Sequence, residues 1–97
     1  MKFRSESIDR LFQTILNLQN VDECYAYFED LCTVKELQDM AQRLDTAIAL
    51  SEGTSYQTIT RQVGISTATI GRVSRALNYG TGGYRTAIER LTGQEET

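Results

Sequence analysis

Apolar side chains recur at steps of three and four residues along most of the chain, and this spacing predicts α-helices. Short polar or glycine-containing stretches interrupt the pattern and divide it into six predicted helices. They span about residues 5–18, 21–31, 34–51, 55–62, 66–77 and 84–92. The predicted fold class is therefore all-α, with residues 1–97 forming a single domain.

Two of these helices begin with residues that are suited to cap them. Thr33 and Glu36 have the spacing of a capping box, in which each side chain accepts a hydrogen bond from the backbone N–H of the other residue. Asn20 and Glu23 have the same spacing before the second helix. Gly53 is predicted to end the third helix.

The first helix carries a broad apolar stripe, formed by Ile8, Leu11, Phe12, Ile15 and Leu16. A chain of 97 residues has a small core with which to cover so wide a surface. We therefore interpret the stripe as a contact with a second copy of the chain. Packing of the stripe on its own chain is the alternative interpretation.

Residues 55–77 have the spacing of a helix-turn-helix, whose second helix lies in the major groove of DNA. The turn is placed at Gly64, where glycine adopts a positive φ without steric cost, and Ser66 is suited to cap the second helix. The positions that bury the two helices are apolar, namely Ile59, Val63, Ile65, Ile70 and Val73. An ordinary helical hairpin with a glycine in its turn is the alternative interpretation.

One position departs from this motif. The residue four positions before the turn glycine is expected to pack closest to the second helix and is usually alanine. This chain has the larger and polar Thr60 there.

The outward face of the second motif helix begins with small residues and continues with arginines. Ile70, Val73 and Leu77 are predicted to point inward, and the outward face consists of Ala68, Gly71, Arg72, Arg75 and Tyr79. Small side chains let a helix approach base edges closely, and their methyl groups suit thymine methyls. Gly71 has two interpretations that the sequence does not separate: close packing between helices, or close approach to DNA.

The charge distribution agrees with a nucleic-acid partner better than the net charge of −3 does. Residues 1–52 carry five basic and ten acidic side chains, whereas residues 53–97 carry five basic and three acidic ones. Between Glu52 and Glu89 the charged residues are all arginines, at positions 61, 72, 75 and 85. A local positive surface is what binding to phosphates needs.

The sequence gives little support for a metal site, an enzyme, a cofactor or a membrane partner. Cys24 and Cys32 are eight residues apart and the chain has no histidine, so we interpret both cysteines as reduced and expect no metal site. Without a nucleophile and base set, we expect neither an enzyme nor a cofactor. The chain has no run of 18 apolar residues and its first ten residues form no signal segment, so we expect a cytoplasmic protein without a membrane partner.

The order of six helices, with the motif formed by the fourth and fifth, resembles the tryptophan repressor family and looks closest to its YerC/YecD branch. The resemblance covers about residues 8–92 and is strongest at LCTVKELQDMAQRL (31–44), EGTS (52–55) and ISTATIGRVSRALNYG (65–80). It implies a six-helix tryptophan-repressor-like fold that forms an intertwined homodimer. It also implies a sequence-specific transcriptional regulator, usually a repressor, that binds a two-fold operator.

The resemblance also assigns a candidate ligand pocket. The two arginines that hold the family's tryptophan corepressor match Arg43 and Arg72, and a threonine before the third helix matches Thr33. Two family positions differ here: the glycine that gives the indole room is Val73, and the serine that receives the amino group is Ala76. We therefore expect no tryptophan binding at this pocket.

The predicted DNA-binding residues lie on the motif helices and their turn. The resemblance places DNA-reading side chains at residues 67–69 and further contacts at positions 57, 60 and 74. The N-cap and the outward face of the second motif helix supply the remaining residues of the set. The full set is Gln57, Thr60, Ser66, Thr67, Ala68, Thr69, Gly71, Arg72, Ser74 and Arg75.

These observations together predict a transcriptional repressor that binds double-stranded DNA as a homodimer and does not need tryptophan. The acidic N-terminal half and Thr60 leave room for an alternative, a helical protein-interaction module. A second alternative is a regulator that senses a different small molecule near Arg43 and Arg72, whose identity the sequence does not give.

Overall fold

The computed structural model describes residues 3–96, and their side chains as far as residue 93. These residues form six α-helices and no strand: α1 Glu6–Leu16, α2 Val21–Leu31, α3 Val34–Ser51, α4 Tyr56–Val63, α5 Thr67–Tyr79 and α6 Gly83–Glu96. The predicted all-α class and the order of six helices are confirmed. The bounds differ most at α6, which continues to Glu96 instead of ending near residue 92.

Helix starts are fixed by local hydrogen bonds. The capping box before α3 is confirmed, since the Thr33 N–H donates to Glu36 Oε1 at 2.9 Å and the Glu36 N–H donates to Thr33 Oγ1 at 3.0 Å. Asn20 caps α2 by accepting from the Glu23 N–H at 2.9 Å. The reciprocal bond differs from the prediction, because Glu23 Oε1 accepts from the N–H of Gln19.

Gly53 follows the last turn of α3 in the left-handed region, with φ 84°. The Gly53 N–H donates to the Leu50 carbonyl at 3.0 Å, and the Thr54 N–H donates to the Ala49 carbonyl at 3.0 Å. These bonds satisfy carbonyls that the end of a helix leaves unpaired. The chain therefore passes from α3 to α4 through only four residues, 52–55.

The chain forms two compact units, one up to Leu37 and one from Gln38 onward. In the first unit, no residue of α1 or α2 is buried. The Tyr27 hydroxyl lies 2.7 Å from Thr14 Oγ1 and links the two helices. Several large apolar side chains of this unit are exposed to solvent, namely Phe12, Leu16, Val21, Tyr25, Leu31 and Val34.

The second unit contains the buried core. Ile59 of α4, Ile65 of the following turn and Ile70 of α5 form one cluster, and Ala49, Leu50 and Val63 pack against it. Burying an isoleucine side chain contributes about 1.5–3 kcal/mol. Thr46 of α3 is also fully buried, and its hydroxyl donates to the Gln42 carbonyl at 2.8 Å, so no polar group is left unsatisfied there.

No helix in residues 3–96 is long and apolar enough to cross a membrane.

Candidate nucleic-acid interface

The connection between α4 and α5 is a turn of three residues, Gly64, Ile65 and Ser66. Gly64 has φ 78°, and its N–H donates to the Thr60 carbonyl at 3.0 Å. Ile65 is buried, and Ser66 Oγ accepts from the Thr69 N–H at 3.2 Å to cap α5. The predicted glycine turn and serine cap are therefore both present.

Helix α5 has a buried face and an exposed face. Ile70, Val73 and Leu77 are buried, as the spacing predicts. Ala68, Arg72, Arg75 and Tyr79 are exposed, also as predicted. The buried side chains hold the helix against the core, so the small residues and arginines are presented to solvent.

Gly71 lies between these two faces and is half-buried. A Cβ added to Gly71 would meet no atom within 4 Å. The described part of the chain therefore gives no packing reason for glycine at this position. Of the two interpretations that the sequence leaves open, close packing against another helix of the same chain finds no support at Gly71.

The other predicted DNA-binding side chains are also near the surface. Gln57, Ser66 and Thr67 are exposed, whereas Thr69 and Ser74 are half-buried. Ser66 Oγ lies 3.0 Å from Thr69 Oγ1, so these two hydroxyls sit together at the start of α5. The predicted residues on α5 and at its cap thus flank or continue its exposed face.

Thr60 corrects one expectation from the sequence. It was expected to pack closest to α5, but its side chain is exposed. Ile59, the preceding residue, is fully buried in the core cluster, as the spacing predicts. Thr60 is turned about 100° around α4 from Ile59, and in this helix that direction faces solvent.

Two of the arginines between Glu52 and Glu89 donate hydrogen bonds to neighbouring polar side chains. Arg61 Nη2 donates to Thr58 Oγ1 at 3.4 Å on α4. Arg85 Nη2, from α6, donates to Asn78 Oδ1 at 2.9 Å on α5. Asn78 was absent from the predicted site, although its four-residue separation from Ser74 on one helix could have drawn attention to it. Its partner on α6 depends on how the two helices meet, which the sequence does not show.

Three residues of the predicted ligand pocket line one recess of about 360 Å³: Arg43, Arg72 and Val73. Ser66, Thr69 and the acidic Asp39 also line it. Ala76 instead lines an apolar recess of about 570 Å³ with Leu44, Tyr84 and Ala87. Thr33 lies in the first compact unit, where its hydroxyl caps α3.

Gln42, which the sequence did not single out, reaches the turn between α4 and α5. Its Nε2 atom donates to the Val63 carbonyl at 3.5 Å, at the C-terminal end of α4.

Among the described side chains, no group of three or more histidine, cysteine, aspartate or glutamate residues is placed to hold a metal ion.

The comparisons with known proteins agree with this architecture. The uncharacterized protein YerC of Bacillus subtilis (strain 168) is 48% identical over 94 residues, which are 97% of this chain and 90% of YerC. The solved structure of a TrpR-like protein from Eubacterium eligens ATCC 27750 has a TM-score of 0.91 at 45% identity, and the match covers 94% of each chain. A solved structure from Staphylococcus aureus has a TM-score of 0.90 at 45% identity, covering 94% of this chain and 91% of that one.

The family described as Trp repressor protein has a model that matches residues 6–92, which include five complete helices and most of α6. The resemblance stated from the sequence is confirmed by this match and by the relative in B. subtilis. The chain belongs to the Trp repressor protein family, in the branch that contains YerC.

Proposed function

We propose that the protein is a DNA-binding transcriptional regulator that places α5 in the major groove. The observation that carries the proposal is the arrangement of α4, the Gly64 turn and α5. Their inward residues are buried, except for the partly buried Val63, and α5 presents small residues followed by Arg72 and Arg75 to solvent. A rigid helix with small residues near its start can approach base edges, and arginines further along can reach phosphates.

The helix starts support binding to a polyanion. Helices α1, α2 and α3 each have acidic residues in their first turn, as is usual for helix stability. Helices α4, α5 and α6 have none. The first turns of these three helices therefore carry no carboxylate of their own to offset the partial positive charge, which favours DNA phosphates near this unit. Asp39 of α3 lines the recess beside the start of α5.

We propose that the active form is a homodimer. The exposed apolar residues of the first compact unit support this, since side chains such as Leu16 and Val21 are more than two-thirds exposed in the single chain. Burial against a second copy would remove this surface from water. A two-fold dimer would present two copies of α5 to half-sites about 34 Å apart, one turn of DNA.

We propose that tryptophan is not the effector. The support is Val73, which is buried and lines the recess that Arg43 and Arg72 also line. The family's glycine at this position leaves room for an indole, and the valine occupies that room. In addition, Ala76 has no hydroxyl to accept a hydrogen bond from the amino group of tryptophan. We expect no thermal shift on adding tryptophan, whereas a shift that saturates would refute this part of the proposal.

Repression is the mode of regulation that the family resemblance favours. A dimer bound across a promoter would exclude polymerase by occupying the same DNA. A reporter gene behind the selected site should therefore lose expression when the protein is produced. A rise in expression would indicate an activator instead.

The first test is selection from a randomised DNA pool at one fixed salt concentration, without added ligand. We expect enrichment of a two-fold site with half-sites one helical turn apart. Arg72→Ala and Arg75→Ala should lower affinity for that site, because each removes an exposed cation of α5. If no sequence is enriched and a single stoichiometric protein is retained from cell extract, the protein is an interaction module and the proposal is wrong.

A second candidate function is the sensing of a small anion. The recess beside Arg43 and Arg72 supports it, because two guanidinium-bearing residues and the hydroxyls of Ser66 and Thr69 line the same space, against the single carboxylate of Asp39. Occupancy there would act directly on the start of α5. Repeating the selection with a small-molecule extract tests this candidate, which requires enrichment that appears only with the extract.

A further inference from the structure

Hydrogen bonds among three polar side chains, Ser74, Asn78 and Arg85, connect α5 to α6 on the protein surface. Asn78 Nδ2 donates to the Ser74 carbonyl at 3.0 Å and to Ser74 Oγ at 3.3 Å. Asn78 Oδ1 accepts from Arg85 Nη2 at 2.9 Å. The partners fix the orientation of the amide, since its nitrogen must face an acceptor and its oxygen must face the guanidinium. Arg85 is therefore oriented by α5, although it belongs to α6.

The residues that orient Arg85 continue one stripe of α5. Thr67, Gly71, Ser74 and Asn78 follow one another at steps of four, three and four residues, so they lie along one side of the helix. Thr67 and Gly71 belong to the predicted DNA-binding set. The eleven-residue separation of Thr67 and Asn78 corresponds to about 16 Å along the helix axis.

Because the stripe is longer than the major groove is wide, its two ends would contact different parts of the DNA. The major groove is about 12 Å wide, and the N-terminal residues of a recognition helix contact base edges. With Thr67 near the bases, Asn78 would reach the sugar-phosphate backbone at the edge of the groove. A cation at that point would bind a backbone phosphate. The last turn of α5 itself contains no basic residue.

The C-terminal end of α5 also carries the negative end of the helix dipole, which repels phosphate. Arg85 brings a guanidinium group to this end. A guanidinium has five N–H donors in a planar fork, so bonding to Asn78 through one nitrogen leaves donors that can bind phosphate oxygens. Arg85 is exposed, so these donors are accessible.

We propose that Arg85 binds a DNA backbone phosphate and that Asn78 is the positioning residue that holds it beside the C-terminal half of α5. This proposal rests on the proposed function, because it assigns a further contact within the same interface. Helix α6 thereby takes part in DNA binding through the contact that it makes with α5. The contribution is independent of base sequence, because a phosphate is present at every step.

The test is a salt titration of affinity for the selected DNA site, with Arg85→Ala, Asn78→Ala and the matched control Arg90→Ala. Arg90 is an exposed arginine on the same helix, so its removal changes the charge equally. Arg85→Ala should make the slope of log affinity against log salt shallower by about 0.9 for each lost phosphate contact. From about 50 to about 200 mM salt, the loss of affinity would then be smaller by about 3.5-fold per contact.

Asn78→Ala keeps the charge and removes the positioning bond. We expect it to weaken binding less than Arg85→Ala, and to add nothing when the two changes are combined. Thermal unfolding of each variant should match the wild type, which excludes general loss of structure. Arg85→Lys should recover the charge but only part of the affinity, because an ammonium lacks the planar fork.

Equal slopes for the wild type and Arg85→Ala would overturn the proposal while leaving DNA binding by α5 intact. An equal effect of Arg90→Ala would also overturn it, because the effect would then be one of net charge. If the wild type itself shows no salt-dependent DNA binding, the proposed function fails and this assignment fails with it.

Discussion

Replacing Gly71 with alanine should stabilise the fold and weaken DNA binding at the same time. Gly71 is the fifth of thirteen residues in α5, where glycine costs about 1 kcal/mol relative to alanine. The structure adds no opposing steric cost, because a Cβ at this position would meet no atom within 4 Å. The free energy of unfolding should therefore rise by about 1 kcal/mol, and the Tm by about 4–8 °C.

The effect on DNA binding has the opposite sign. If α5 approaches DNA with Gly71 toward the base edges, the added methyl group occupies space that the complex needs. A group forced into a packed contact costs about 1–3 kcal/mol, which corresponds to a loss of affinity of about 5- to 150-fold. The assay pairs thermal unfolding with fluorescence anisotropy of the selected DNA at constant salt.

Gly93→Ala is the matched control, since Gly93 also lies inside a helix with open space beyond its Cα. It should stabilise the protein without changing DNA affinity. A lower Tm for Gly71→Ala would show that glycine is required by packing, contrary to the reasoning from the open space. A higher Tm with unchanged affinity would remove Gly71 from the interface.

Three further predictions concern the fold. Gly80→Ala should destabilise the protein by about 1–3 kcal/mol, because the added Cβ would lie 2.3 Å from the Ala76 carbonyl oxygen. Denaturant titration measures this loss, and an unchanged free energy of unfolding would contradict the clash. Ile70→Ala should cost about 2–5 kcal/mol, because Ile70 is fully buried, and a loss below about 1 kcal/mol would show that the site is loosely packed. The Thr33 N–H and hydroxyl hold the pKa of Glu36 below its ordinary value. The capping carboxylate therefore stabilises the fold above that ordinary pKa and ceases to do so as pH falls through the folded-state pKa. The Tm difference between the wild type and Glu36→Gln should accordingly be present at neutral pH and vanish at low pH, and a difference independent of pH would refute the ionic origin.

Local features of the chain were accessible from the sequence. The capping box at Thr33, the Gly64 turn and the Ser66 cap each depend on residues within four positions of one another. The same holds for the inward direction of Ile70, which follows from helical period alone. Such features are fixed by backbone geometry and need no knowledge of how helices meet.

Features that depend on contacts between helices were not accessible in this way. Thr60 was expected to pack against α5, and the structure leaves its side chain exposed. The bond between Asn78 and Arg85 requires α6 to fold back beside α5. Likewise, Ala76 and Val73 are three residues apart on one helix, yet they line different recesses.

The sequence by itself thus determined where each helix begins, where the turn lies and which face of α5 is apolar, because short-range sterics and hydrogen bonding set these properties. The tertiary structure alone decided that Gly71 faces open space and that Arg85 is held beside α5. Both depend on the directions in which helices pack, and these directions are set by the whole set of core contacts rather than by any one stretch of sequence.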